Sequence, residues 1–127
     1  LITEELVSKG INVYKYVYIS SIAAIKPRYK NFLYGLAKNK LENNISKLVN
    51  NYLIFRFGKI QTKMSSTHAD VPFTLSSSEA AEIIYNKIEK KKIIYPNFKL
   101  KLFSLLLYAI PSKILDFIER KLTSSGK

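Results

Sequence analysis

The sequence predicts a parallel α/β fold, and three observations predict it. Residues 13–20, 53–57 and 93–95 are short runs rich in β-branched and aromatic side chains, the composition of buried strands. Residues 31–51 and 77–91, which separate them, repeat apolar side chains at the helical period. Strand, helix, strand, helix, strand in that order is the pattern of parallel strands joined by right-handed crossovers.

Each element has a local reason. Residues 1–9 place Leu1, Ile2, Leu6 and Val7 on one side at helical spacing, and Gly10 is the residue type expected just past a helix end. The first strand is expected to end at Ser20 or Ser21, before a loop containing Pro27. The helix over 31–51 has apolar residues at 33, 36, 37, 41, 45, 48 and 49. Gly58 closes the second strand. Residues 59–75 show no period and collect Thr, Ser, His68, Asp70 and Pro72, which predicts a long loop of the kind that is often functional. A serine N-cap and a first-turn glutamate open the helix over 77–91, and lysines gather at its end, where they suit the helix dipole. The tail over 98–122 holds two apolar helical stretches broken at Pro111, a residue suited to the first turn of a new helix. Within it, Leu102, Leu106 and Ile110 are expected to pack inward and Phe103 and Leu107 to remain exposed. The chain thus divides into an α/β part, 1–97, and a helical tail, 98–127.

Composition narrows the chemistry. A chain of 127 residues, 47% apolar and 24% charged, is one globular domain rather than a disordered tail. The lack of cysteine excludes disulfides, thiolate metal sites and thiol catalysis, and a single histidine, His68, argues against a His-based metal cluster or a Ser-His-Asp triad. No metal is therefore expected. The formal charge of +12 raises nucleic acid or an anionic membrane as partners. Of its 21 basic residues, however, only Arg28, Arg56 and Arg120 are arginine. Specific phosphate and base recognition favours the arginine fork, so no nucleic-acid partner is expected. The chain begins at Leu1 without a signal-peptide pattern and reads as cut from something longer. Its longest uncharged apolar run, 102–110, is far short of the roughly 20 residues that span a bilayer.

Tyr34 and Lys38 stand four apart on the predicted helix over 31–51, so their side chains share one face. An ammonium beside a phenol favours the phenolate, and a phenol tuned in that way can pass a proton to a carbonyl oxygen as hydride arrives. Ser20 and Ser21 sit at the carboxyl end of the preceding strand, and that end of a parallel sheet is where α/β folds bind ligands. Ser21 lies 13 residues before Tyr34, and Thr62 lies four after Gly58. Serine, then Tyr-x-x-x-Lys, then Pro-Gly-x-x-x-Thr after the next strand is the pattern of the short-chain dehydrogenase/reductase family. The segments YISSIAA, YGLAK and FGKIQT resemble it in order and spacing, with Phe57 in place of the proline.

The resemblance implies a fold and a set of roles. Tyr34 would be the catalytic acid/base, Ser21 would hydrogen-bond the substrate carbonyl or hydroxyl, and Lys38 would hold the nicotinamide ribose. Gly58, the Ile60 backbone and the Thr62 hydroxyl would lie along the nicotinamide end of NAD or NADP. The chain would be the carboxyl-terminal half of a doubly wound parallel-sheet (Rossmann) domain, with three short parallel strands, flanking helices and a helical tail. No G-x-G-x-x-G turn is present in residues 1–127, so these residues alone are expected to bind neither cofactor, and the family's asparagine is expected upstream of Leu1. Taken singly, Ser21 also reads as a strand-end hydroxyl satisfying backbone, Thr62 as a loop cap and His68 as a surface residue.

The stretch from Ile93 to Pro96 and the tail after it are similar to the decaprenylphosphoryl-ribose keto-reductase-like branch of that family, which implies a lipid-linked or sugar-derived alcohol or ketone as substrate. A tail of leucines with Lys99 and Lys101 could lay an apolar face in a membrane interface, giving peripheral contact through residues 98–122. The competing reading is that the same leucines cover the sheet or form a subunit contact. The expected whole is a cytoplasmic oxidoreductase, peripheral on the inner membrane face and homo-oligomeric when complete. A non-catalytic fragment or a basic membrane-surface module is the alternative.

Overall fold

A computed structural model describes residues 1–26, 32–63, 65 and 73–125. The elements run α1 (Ile2–Ser8), β1 (Tyr16–Ser21), a 3-10 turn (Ile22–Ala24), α2 (Phe32–Leu48), β2 (Tyr52–Phe57), β3 (Ile60–Gln61), β4 (Leu75–Ser76), α3 (Ser77–Lys87), β5 (Lys92–Ile94), α4 (Phe98–Ala109) and α5 (Ser112–Ser125). The architecture is mixed α/β. Three parallel strands in the order β1-β2-β5 form the sheet, with Tyr16 opposite Tyr52 and Leu53 opposite Lys92. Pro27 and His68 lie outside the described residues.

The central strand is the core. All of Leu53–Phe57 are buried, and the strand's period of two sends alternate side chains to opposite faces. Leu53, Phe55 and Phe57 cluster with Ala80 of α3, joined by Val17, Ile83, Ile84 and Ile94. Ile54 and Arg56 face the other way, toward α2, where Arg56 meets Glu42. The sheet therefore lies between α2 and α3, and that two-sided cover is why both faces of β2 are buried, with Arg56 its one charged residue.

The backbone pattern leaves β1 at an edge. Tyr16 N–H donates to the Asn51 carbonyl at 3.1 Å, so with the parallel register the backbone groups of Tyr16, Tyr18 and Ser20 point at β2. Those of Val17, Ile19 and Ser21 point outward. Among the described residues no strand pairs with them.

Helix ends follow local chemistry. At the end of α1, Gly10 takes φ 64°, Ile11 N–H reaches the Leu6 carbonyl and Gly10 N–H the Val7 carbonyl. That is a Schellman cap, which a residue without Cβ enters most readily. Ser76 caps α3 by accepting from Glu79 N–H, while Glu79 accepts from Ser76 N–H at 2.7 Å.

Several expectations are corrected. Residues 59–75 are not wholly loop: β3 and β4 pair in parallel, Ile60 opposite Leu75. Two-residue strands are too short to leave a period in sequence. Helix α3 ends at Lys87, since Lys92, at φ 67°, begins the return into β5. In α1 it is Thr3 that is buried, through a hydroxyl contact with Tyr18, while Leu1, Ile2 and Val7 are exposed. Helix α2 buries Gly35, Glu42 and Ile45, not Leu33 or Leu48, because Arg56 draws the Glu42 side of the helix against the sheet. In α4 the inward residues are Leu100, Ser104 and Leu107. Leu102 and Leu106 are exposed, Ile110 is half-buried, and half-buried Phe103 packs on Phe73 with centroids 5.6 Å apart. Two apolar faces compete on that helix, and Leu100 wins the inward position where it meets the chain at Gly58.

Candidate functional site

The carboxyl ends of parallel strands form a rim, and α2 returns from that rim toward the start of β2. Its first turns therefore lie beside the end of β1, which brings Tyr34 and Lys38 to the rim. Lys38 Nζ donates to the outward-pointing Ile19 carbonyl at 3.0 Å. The same ammonium lies 5.8 Å from the centroid of the Tyr34 ring, within cation–π range. Tyr34 is 53% exposed, so its hydroxyl can be reached from solvent.

Ser21 ends β1 and caps the 3-10 turn, its Oγ accepting from Ala23 N–H at 3.2 Å. A serine that accepts in this way still carries a donor proton. No hydrogen bond links Ser21 to Tyr34 among the contacts of the described residues. Ser20, one residue earlier, is 4% exposed and points to the opposite face, donating to Glu42 Oε1 at 2.6 Å. The two adjacent serines thus divide: Ser20 belongs to the packed interior and Ser21 to the rim.

The segment after β2 is occupied by its own contacts. A Cβ built on Gly58 would stand 3.2 Å from the Phe73 carbonyl, so this position is tight because two chain segments meet there. Ser65 Oγ donates to the Ile60 carbonyl at 2.7 Å, and Thr62 N–H donates to Ser65 Oγ at 2.8 Å. Thr62 Oγ1 is itself 3.3 Å from Ser65 Oγ. The arrangement brings Tyr34, Lys38 and the end of β1 together, but it gives Thr62 a turn-forming role.

A buried polar cluster escapes sequence reasoning. Arg56 makes a charged pair with Glu42 and donates through Nη1 to the hydroxyls of Tyr95 and Tyr108, at 2.9 and 3.1 Å. Its only signal is an arginine at the inward phase of an apolar strand and a glutamate one turn from Lys38. Burial pulls the Arg56 pKa down; the bonds to Glu42 and Tyr95, the Glu42 charge and Tyr108 outweigh it, and the net shift is upward. No group of three metal-ligating side chains occurs among the described residues, and none of the described helices is long and apolar enough to cross a membrane. Comparison of the chain with protein-family models, curated proteins and solved structures gives no match.

Proposed function

We propose that residues 1–127 are the carboxyl-terminal half of a doubly wound domain of the short-chain dehydrogenase/reductase type. In this reading the complete protein moves hydride between NAD or NADP and an alcohol or ketone, lipid-linked or sugar-derived. The observation that carries it is an exposed phenol with an ammonium over its ring, that ammonium bonded to the Ile19 carbonyl of the strand that Ser21 ends. The outward backbone groups of Val17 and Ser21 and the Ile19 N–H support the half-domain part, being what a further strand of a doubly wound sheet would pair with, while the Ile19 carbonyl is taken by Lys38.

The nicotinamide supplies or takes the hydride; the chain's residues manage the oxygen. Tyr34 donates its proton to the carbonyl oxygen as charge develops there, and takes it back in the reverse direction. Ser21 directs its O–H to the same oxygen. Lys38 keeps two donors after bonding Ile19, enough to hold a ribose while staying over the Tyr34 ring. Gly58 and the Ile60 backbone border the nicotinamide end, and Thr62 reaches it only if its turn with Ser65 opens. The reading assigns the work to the cytoplasm and a homo-oligomer.

A second reading, a non-catalytic protein that keeps this half of the fold for packing, is favoured by the structural contacts of Gly58 and Thr62. One assay separates them. The complete gene product should oxidise NADH or NADPH against a ketone panel, whereas residues 1–127 alone should give no saturable cofactor binding in calorimetry. Absence of both turnover and cofactor binding in the complete product overturns the enzyme reading; saturable binding by residues 1–127 alone overturns the half-domain.

A further inference from the structure

Helix α4 is apolar on two opposite sides, and only one is covered. Leu100, Ser104 and Leu107 are at most 2% exposed. Phe98, Leu102 and Leu105 repeat the same i, i+4, i+7 spacing two residues earlier, which on a helix is the opposite side. They are 75, 49 and 57% exposed. Large apolar side chains in a row on one exposed helix face mark a contact surface.

Beside this stripe is a cleft of about 410 Å3 whose lining includes Lys87, Lys90 and Lys101 with Ile93, Asn97 and Phe98. No acidic side chain lines it. Lys87 Nζ is held by the carbonyls of Tyr95 and Pro96 at 3.2 and 3.1 Å, which fixes one ammonium in the wall. Lys90 and Lys101 are exposed. Phe98 belongs to both cleft and stripe, and Lys101 of the cleft precedes Leu102 and stands one turn before Leu105, so the cationic and apolar parts adjoin.

We propose that this surface binds the interface of an anionic phospholipid bilayer. Phe98, Leu102 and Leu105 enter the boundary between headgroups and acyl chains, and lipid phosphates are held between Lys90 and Lys101 at the cleft. Charge complementarity carries the choice of partner. The chain is +12 overall, and long lysine stems can lie along apolar surface while their ammonium groups reach the headgroups. With none of the described helices long and apolar enough to cross a bilayer, the contact is in-plane, as for amphipathic interfacial helices. The inference is independent of the hydride-transfer reading.

The test is co-sedimentation of the protein with vesicles of pure phosphatidylserine or pure phosphatidylcholine at low and high salt. The protein should pellet with phosphatidylserine at low salt, be released at high salt, and stay in solution with phosphatidylcholine. Lys90→Ala/Lys101→Ala should weaken the binding by about 25-fold, roughly fivefold for each charge removed. Leu102→Ser/Leu105→Ser should weaken it by about tenfold through lost apolar burial, with unchanged far-ultraviolet circular dichroism showing that both variants fold. Failure to bind phosphatidylserine at low salt, or equal binding by the lysine variant, overturns the proposal. So does a vesicle-free dimer that Leu102→Ser/Leu105→Ser abolishes, since that assigns the stripe to a second copy of the chain.

Discussion

Glu42 Oε2 lies 2.6 Å from Arg56 Nη2, and both side chains are buried between α2 and β2. The pair is the centre of a network, with Ser20 Oγ on Glu42 and the hydroxyls of Tyr95 and Tyr108 on Arg56. Five parts of the chain are tied through it: β1, α2, β2, the turn after β5, and α4. A buried pair of this kind is costly to break because the surviving charge is left uncompensated, whereas apolar replacement of both partners is often tolerated.

Glu42→Gln should therefore lower stability by about 3 to 5 kcal/mol, read as the shift in the urea midpoint at constant slope. Arg56 has its pKa raised by its partners and stays charged at every accessible pH, so acid or base cannot relieve the loss. Glu42→Leu/Arg56→Met should cost less than Glu42→Gln alone. A larger cost for the double variant would show that the network contributes net stability.

Tyr34→Phe should leave stability nearly unchanged, since the ring is half exposed and its hydroxyl has no partner among the described contacts. If the proposed function holds, turnover in the complete protein should fall on the order of 10² to 10⁴-fold, measured as kcat at saturating ketone. Lys38→Met should also weaken cofactor binding, and should free the Ile19 carbonyl at the sheet edge.

Gly58→Ala should destabilise the fold by about 1 to 3 kcal/mol through overpacking. The added Cβ meets the Phe73 carbonyl at 3.2 Å, and Phe73 is constrained by a φ of 70° and by its ring contact with Phe103. Thermal unfolding compared with Gly10→Ala, where nothing stands within 4 Å but φ is 64°, separates crowding from backbone strain.

Ser76→Ala should cost about 1 kcal/mol by removing the N-cap of α3. The Ser76 N–H, and then its hydroxyl, hold the Glu79 carboxyl below its ordinary value of 4.5. A carboxyl depressed in the folded state contributes stability above its unfolded pKa and loses it as pH falls through the folded value. The stability gap between the wild type and Glu79→Gln should thus be full at neutral pH and shrink progressively below about pH 4.5, as followed by chemical denaturation across that range.

Leu107→Ala should cost about 2 to 5 kcal/mol and Leu106→Ala far less, because Leu107 is 2% exposed and Leu106 is 52% exposed. Equal costs would show that α4 is rotated from the packing described.

The alternation of strands and helices was legible because each carries its own local signal. Val17, Leu53, Phe55 and Ile94 fall in short runs rich in β-branched and aromatic residues, Gly10 stands where α1 needs a left-handed residue, and Ser76 with Glu79 spells out a cap. The adjacency of Tyr34 and Lys38 is likewise local, being one helical turn. What the sequence could not decide was which of two apolar faces turns inward. On α4 Leu102 and Leu107 are equally apolar, and on α2 a polar face with Glu42 displaced Leu33 and Leu48. Those choices belong to the tertiary structure, because they depend on partners far along the chain: Arg56 for Glu42, Gly58 for Leu100, Phe73 for Phe103. The separation of Ser20 from Ser21 has the same cause. Neighbours on a strand point to opposite faces, and only the register against β2 decides that Ser20 meets the buried charges while Ser21 stays at the rim.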